Sequence, residues 1–162
     1  MKFYNRENEI AELKRICNLS YTQNSRMTVV TGRRRIGKTS LIKKAFEDSD
    51  EPMLYFFTGR KAEAALVDDF VREVHSTLHG YVPEGLKSVT GVLKHLFELA
   101  KTTKFTLVID EFQEFMTVNP SVFSDLQNLW DSYRSCTRMN LVLSGSVMSM
   151  MRRIFTDAHE PL

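Results

Sequence analysis

The sequence predicts an α/β domain in which a parallel β-sheet is sandwiched between α-helices. Three observations carry this expectation. Residues 28–31, 53–57, 105–109 and 140–143 are short, continuous apolar or β-branched runs, as expected of strands buried on both faces rather than half-exposed ones. The stretches between them have apolar residues every three or four positions, the period of a helix. The first run also leads straight into a glycine-containing turn and a helical stretch, Gly32 to Thr39. Strands alternating with helices give parallel sheets with right-handed crossovers.

The elements follow in order. Residues 8–19 read as a helix through Ile10, Leu13 and Ile16/Cys17, and residues 21–25 read as a polar connector. Thr28, Val29, Val30 and Thr31 form a buried strand. Residues 38–47 are helical through Leu41, Ile42, Ala45 and Phe46, and Pro52 precedes a strand at Met53, Leu54, Tyr55, Phe56 and Phe57. Residues 62–78 form an amphipathic helix with Leu66, Phe70, Val74 and Leu78 on one stripe. Gly80, Pro83 and Gly85 mark a loop. Residues 88–100 form another helix, residues 105–109 a third strand, residues 121–133 a helix containing Leu126 and Trp130, residues 140–143 a fourth strand, and residues 146–155 a last helix.

Composition narrows the class. A chain of 162 residues with 43% apolar and 26% charged residues fits one globular domain. A net charge of +2 is too slight to point to nucleic acid and does not exclude it. Cys17 and Cys136 lie far apart with no metal-type spacing, and read as reduced, part-buried residues of a cytoplasmic protein. No apolar stretch approaches the roughly 18 residues of a membrane helix. His75 and His79 sit four apart without a third ligand and read as surface or capping histidines. Trp130 reads as core, and Met148, Met150, Met151 and Phe155 as an apolar patch packed on the sheet.

Two motifs carry chemistry. Gly32-Arg33-Arg34-Arg35-Ile36-Gly37-Lys38-Thr39, continued by Ser40, matches G-x-x-x-x-G-K-[ST] between a strand and a helix. Gly32 allows a tight exit from the strand, and Gly37 lets backbone approach phosphate without a β-carbon in the way. Loop N–H groups and the helix N-terminus make an anion site. Lys38 supplies a point charge to the β- and γ-phosphates, and Thr39 offers its hydroxyl to Mg²⁺. Arg33, Arg34 and Arg35 read as a solvated basic rim, with a direct phosphate or partner contact as the alternative. The third strand ends in Asp110 and Glu111, at the strand end where open sheets place ligands. Asp110 is expected to hold the metal and Glu111 to activate the attacking water.

Together these segments resemble the archaeal-type P-loop ATPase family, related to the AAA+ and STAND groups. The resemblance rests on residues 3–10, 32–42, 107–113, 126–131 and 143–146, in the family's order. It implies a P-loop NTPase fold of AAA+ type, with an extra strand between the phosphate-loop strand and the acidic strand. It implies ATP/ADP as ligand with Mg²⁺, and ATP hydrolysis driving a switch or motor. Asn5 and Arg6 look like the family's N-terminal box near the adenine. Ser146, with Ser144 second, looks like a γ-phosphate sensor. The expected organisation is a strap and helix over residues 1–25 and an ATPase core over residues 26–162, lacking the family's fifth strand and lid or winged-helix region. Arg152 and Arg153 read as a solvated helix face. A second copy of the chain or a downstream domain is the implied coupled partner. The alternative is an ATP-gated protein- or DNA-binding module with negligible hydrolysis.

Overall fold

The computed structural model describes residues 6–32 and 37–146. Four strands form one parallel sheet: β1 (Arg26–Thr31), β2 (Met53–Phe57), β3 (Phe105–Asp110) and β4 (Met139–Gly145), in the order β1-β4-β3-β2. β4 is thus inserted between the phosphate-loop strand and the acidic strand, as the resemblance implies. The helices are α1 (Glu7–Thr22), α2 (Lys38–Phe46), α3 (Glu63–Leu78), α4 (Val89–Leu99), a 3₁₀ turn at Phe112–Glu114, α5 (Phe115–Val118) and α6 (Ser121–Tyr133).

Two apolar layers hold the sheet between helices. On one face α1 and α2 contribute Leu13, Cys17, Leu41, Ile42 and Phe46 against Val108 and Val142. On the other, α3, α4 and α6 pack Leu66, Phe70, Leu96 and Trp130 against Leu107, Ile109, Leu141 and Leu143. Alternate residues of β3 and β4 therefore enter opposite layers, and every residue of both strands is buried. Helix α4 is well enclosed, because Val89, Val92, Leu93, Leu96 and Phe97 are all buried. Its start is set by Ser88, whose hydroxyl accepts the Gly91 N–H at 3.0 Å.

Position in the sheet corrects two expectations. β1 and β2 are apolar runs like β3 and β4, yet they are the outer strands of the described sheet. β1 is half-buried throughout, and β2 alternates between half-buried and buried residues and ends on Phe57, 56% exposed. The edge of β2 is blunted by Glu73, whose carboxylate accepts the Tyr55 N–H at 3.3 Å. The connector at 21–25 is also shorter than expected. Helix α1 continues to Thr22, which lets the Tyr21 hydroxyl meet Thr106 Oγ1 at 2.6 Å. Cys17 is buried as expected, but Cys136 is exposed, because it follows the end of α6 in a surface turn. Trp130 lies in the core, and His79 is the left-handed C-cap of α3. No group of three or more His, Cys, Asp or Glu side chains that could hold a metal occurs among the described residues. The helix expected over 146–155, the methionine patch, Arg152 and Arg153 lie outside the described residues, apart from Ser146.

Candidate functional site

The site lies at the C-terminal ends of the strands. Gly37 caps α2 with φ 86° and ψ 25°, a left-handed conformation that a β-carbon would strain. Lys38 follows as the first helical residue. It is only 6% exposed, and its Nζ donates to the Gly32 carbonyl at 3.3 Å, so the ammonium folds back toward the end of β1. A buried ammonium on a helix N-terminus concentrates positive charge where an anion can use it. Thr39 and Ser40 line the same cavity. Arg33, Arg34, Arg35, Ile36 and Asn5 lie outside the described residues. Arg6 caps α1 and pairs with Glu9 at 3.5 Å.

Asp110 ends β3 at 4% exposure. Its Oδ2 accepts the Thr39 hydroxyl at 2.8 Å and also the Tyr55 hydroxyl, while Oδ1 accepts the Glu111 N–H at 2.9 Å. The Thr39 bond bears on how this pair would suit a cation. A hydroxyl has one hydrogen and two lone pairs. With its hydrogen committed to Asp110, Oγ1 turns lone pairs outward, beside a carboxylate. That oxygen set fits Mg²⁺, which takes hard oxygen ligands and one or two carboxylates.

Burial pushes the Tyr55 phenol well above its ordinary value, and the hydrogen bond to the Asp110 carboxylate adds to the shift. Tyr55 thus stays a proton donor to Asp110. Its ring also lies 4.7 Å beneath Lys43 Nζ, which ties β2 to α2.

Glu111 has φ 52° and ψ 44°, left-handed for a residue with a side chain. That conformation costs about 1–2 kcal/mol, and it turns the chain out of β3 into the 3₁₀ turn. Glu111 Oε2 accepts the Ser146 hydroxyl at 2.9 Å and the side-chain amide of Gln113. The two serines weighed as sensors therefore separate. Ser146 meets Glu111, whereas Ser144 is fully buried and its Oγ has no partner among the described residues.

Lys38, Thr39, Ser40 and Glu111 share a cavity of about 580 Å³ with Arg60 and Glu114, a size that suits a small-molecule ligand. Arg60 Nε donates to Glu114 Oε2 at 2.7 Å. Thr58, 1% exposed, also lines it, and its Oγ1 has no partner among the described residues. Sequence reasoning missed Tyr55, Thr58, Arg60 and Gln113 as site residues. Tyr55, Thr58 and Arg60 sit in or just after an apolar run with no motif. Gln113 stands two residues beyond the acidic pair and carried the only available signal, its closeness to Glu111.

A lysine and threonine opening a helix after the first strand, facing a strand-end acid pair across an inserted strand, define the class: a P-loop NTPase. The chain belongs to the family described as an ATPase domain predominantly from Archaea, which it matches over residues 3–160. It is accordingly an ATPase domain of archaeal type, and nucleotide is its ligand. The uncharacterized protein MJECL04 of Methanocaldococcus jannaschii is 28% identical over 160 residues, covering 99% of this chain and 33% of that protein. The uncharacterized protein MJ0424 of the same organism is 30% identical over 78 residues, 47% of this chain and 76% of that protein. Among solved structures, Cdc6p from Pyrobaculum aerophilum superposes with a TM-score of 0.70 at 18% identity, covering 97% of this chain and 43% of that one. The Walker-type ATPase PABY2304 of Pyrococcus abyssi gives 0.69 at 19% identity, covering 98% and 50%. At these identities the two structures speak for the fold. The chain spans a third of the length of MJECL04 and half or less of the two solved chains.

Proposed function

We propose that the domain binds Mg·ATP and hydrolyses it to ADP and phosphate, with Glu111 as the group that activates water. The observation that carries this reading is the Thr39–Asp110 hydrogen bond, which presents a cation-ready oxygen set next to the buried Lys38 and the Glu111 carboxylate. Thr39 Oγ1 and Asp110 would hold Mg²⁺, which when bound neutralises phosphate charge. Lys38 and residues 32–40 grip the phosphates. Glu111 takes the proton of a water whose oxygen attacks the γ-phosphorus, and the bond to the ADP oxygen breaks. Such hydrolysis rests on positioning and charge stabilisation. Ser146, already bonded to Glu111, would report the γ-phosphate, and Asn5 and Arg6 would border the adenine. Residues 1–25 serve as strap and helix to a core of residues 26–162.

Loss of the γ-phosphate then acts as a switch on a coupled partner, either further domains of a longer protein or a second copy of the chain. A cytoplasmic setting fits the two free cysteines. Binding and single-turnover hydrolysis of Mg·ATP test the reading. Glu111→Gln should keep ATP affinity and lower hydrolysis by about 10²–10⁴-fold. Unchanged hydrolysis in that variant would remove Glu111 from the role. Retained binding with negligible hydrolysis in the unaltered protein would make the domain an ATP-gated binding module instead.

A further inference from the structure

Gln113 donates to Glu111 from the 3₁₀ turn that directly follows it. We infer that Gln113 is the positioning residue of the hydrolytic site, holding the Glu111 carboxylate in its working orientation together with Ser146. The inference rests on the reading of Glu111 as the water-activating group.

Gln113 is 3% exposed and sits in the 3₁₀ turn that directly follows Glu111. Its backbone is anchored on both sides: Phe112 and Phe115 are buried and meet edge to face, with ring centroids 5.7 Å apart. Facing a carboxylate, which only accepts, the amide must present its NH₂ end. Nε2 donates to Glu111 Oε2 and lies 3.4 Å from Ser146 Oγ. The Ser146 hydroxyl spends its one hydrogen on the same Glu111 oxygen at 2.9 Å. Its lone pairs are then left to accept the second N–H of Gln113. The result is a closed triangle of three side chains, with both donors converging on Oε2.

Two donors on one oxygen stop the carboxylate from rotating and leave Oε1 to accept a proton from water. They also stabilise a side chain that leaves its backbone in a strained conformation. The triangle joins the end of β4 to the turn after β3, so a displacement of Ser146 would be felt at Glu111 through two contacts. A residue that only filled this space would be apolar, as Phe112 and Phe115 are. Gln113 instead brings a carbonyl, Oε1, that has no partner among the described residues, a cost that space-filling alone would not incur.

The test separates hydrolysis from binding and folding. Gln113→Met keeps the length of the side chain and removes the donor. ATP affinity should stay within about twofold, and single-turnover hydrolysis of Mg·ATP should fall about 10–100-fold, the scale of a small misplacement of a reacting group. In a Glu111→Gln background the same substitution should add nothing, because the group it positions is already gone. Gln113→Glu replaces the donor with a second acceptor beside the Glu111 carboxylate, so hydrolysis should fall at least as far as in Gln113→Met, again with ATP affinity kept within about twofold. Wild-type hydrolysis in Gln113→Met would overturn the inference, as would an undiminished further loss in the Glu111→Gln background. Should Gln113→Met not fold, Gln113→Glu decides, and wild-type hydrolysis there overturns the inference equally. Normal hydrolysis in Glu111→Gln alone would instead sink the water-activating reading, and this inference with it.

Discussion

Lys38 and Asp110 show how few residues set up the site. The lysine is buried on a helix N-terminus with a backbone carbonyl at 3.3 Å, and charge-assisted contacts to phosphate would supply its function. Lys38→Ala should weaken Mg·ATP binding by about 10–100-fold, since hydrogen bonds to charged groups are worth about 1.5–3 kcal/mol; titration calorimetry reads this directly. Tyr55 carries a different prediction. Its folded-state value is raised, chiefly by burial. The folded protein therefore holds the phenol proton more tightly than the unfolded chain does. That stabilisation is fully present below the unfolded value of about 10 and is lost as pH rises through the folded one. Urea midpoints should fall from about pH 9 upward, and Tyr55→Phe should flatten that fall. An identical slope in the variant would assign the alkaline loss to other groups, with Tyr21 first, since burial raises it too.

Among the elements, α4 and the pair β1 and β2 teach opposite lessons. Helix α4 was legible from its apolar residues, which keep helical period; the observed bounds differ by a residue at each end, because Ser88 caps the helix rather than starting it and Ala100 caps its other end. Ser88→Ala should cost about 1 kcal/mol. Leu96→Ala, at a fully buried position, should cost about 2–5 kcal/mol. Chemical denaturation should rank them in that order. β1 and β2 were legible as strands but not as edges. A run such as Met53-Leu54-Tyr55-Phe56-Phe57 has the composition of a central strand, and its half-exposure follows from which neighbour it lacks in the described sheet. The turn at Phe112–Glu114 was not anticipated, because it begins from a left-handed glutamate, a conformation that propensity does not suggest.

For the whole molecule, nucleotide and fold are one equilibrium, because a ligand that binds only the folded state stabilises it. Mg·ATP at a hundredfold excess over its Kd should add about 2.7 kcal/mol, a rise in thermal midpoint of about 5–10 °C for a domain of this length. The rise should vanish in Lys38→Ala. A rise that survived there would place the binding energy outside the phosphate loop. The sequence by itself determined what depends on neighbours along the chain: the strand-to-helix phosphate loop, the acids closing β3, the helix periods and the alternation that makes a parallel sheet. These are short-range patterns, and local sterics and period suffice to read them. Only the tertiary structure decided that Tyr55 donates to Asp110, that Thr39 turns its hydrogen to the same carboxylate, and that Ser146 rather than Ser144 meets Glu111. Those contacts join residues 35 to 71 positions apart. The Thr39 and Ser146 contacts exist because β4 enters between β1 and β3, and the Tyr55 contact because β2 pairs with β3, choices made by packing two apolar layers against one sheet, which no local stretch of the chain encodes.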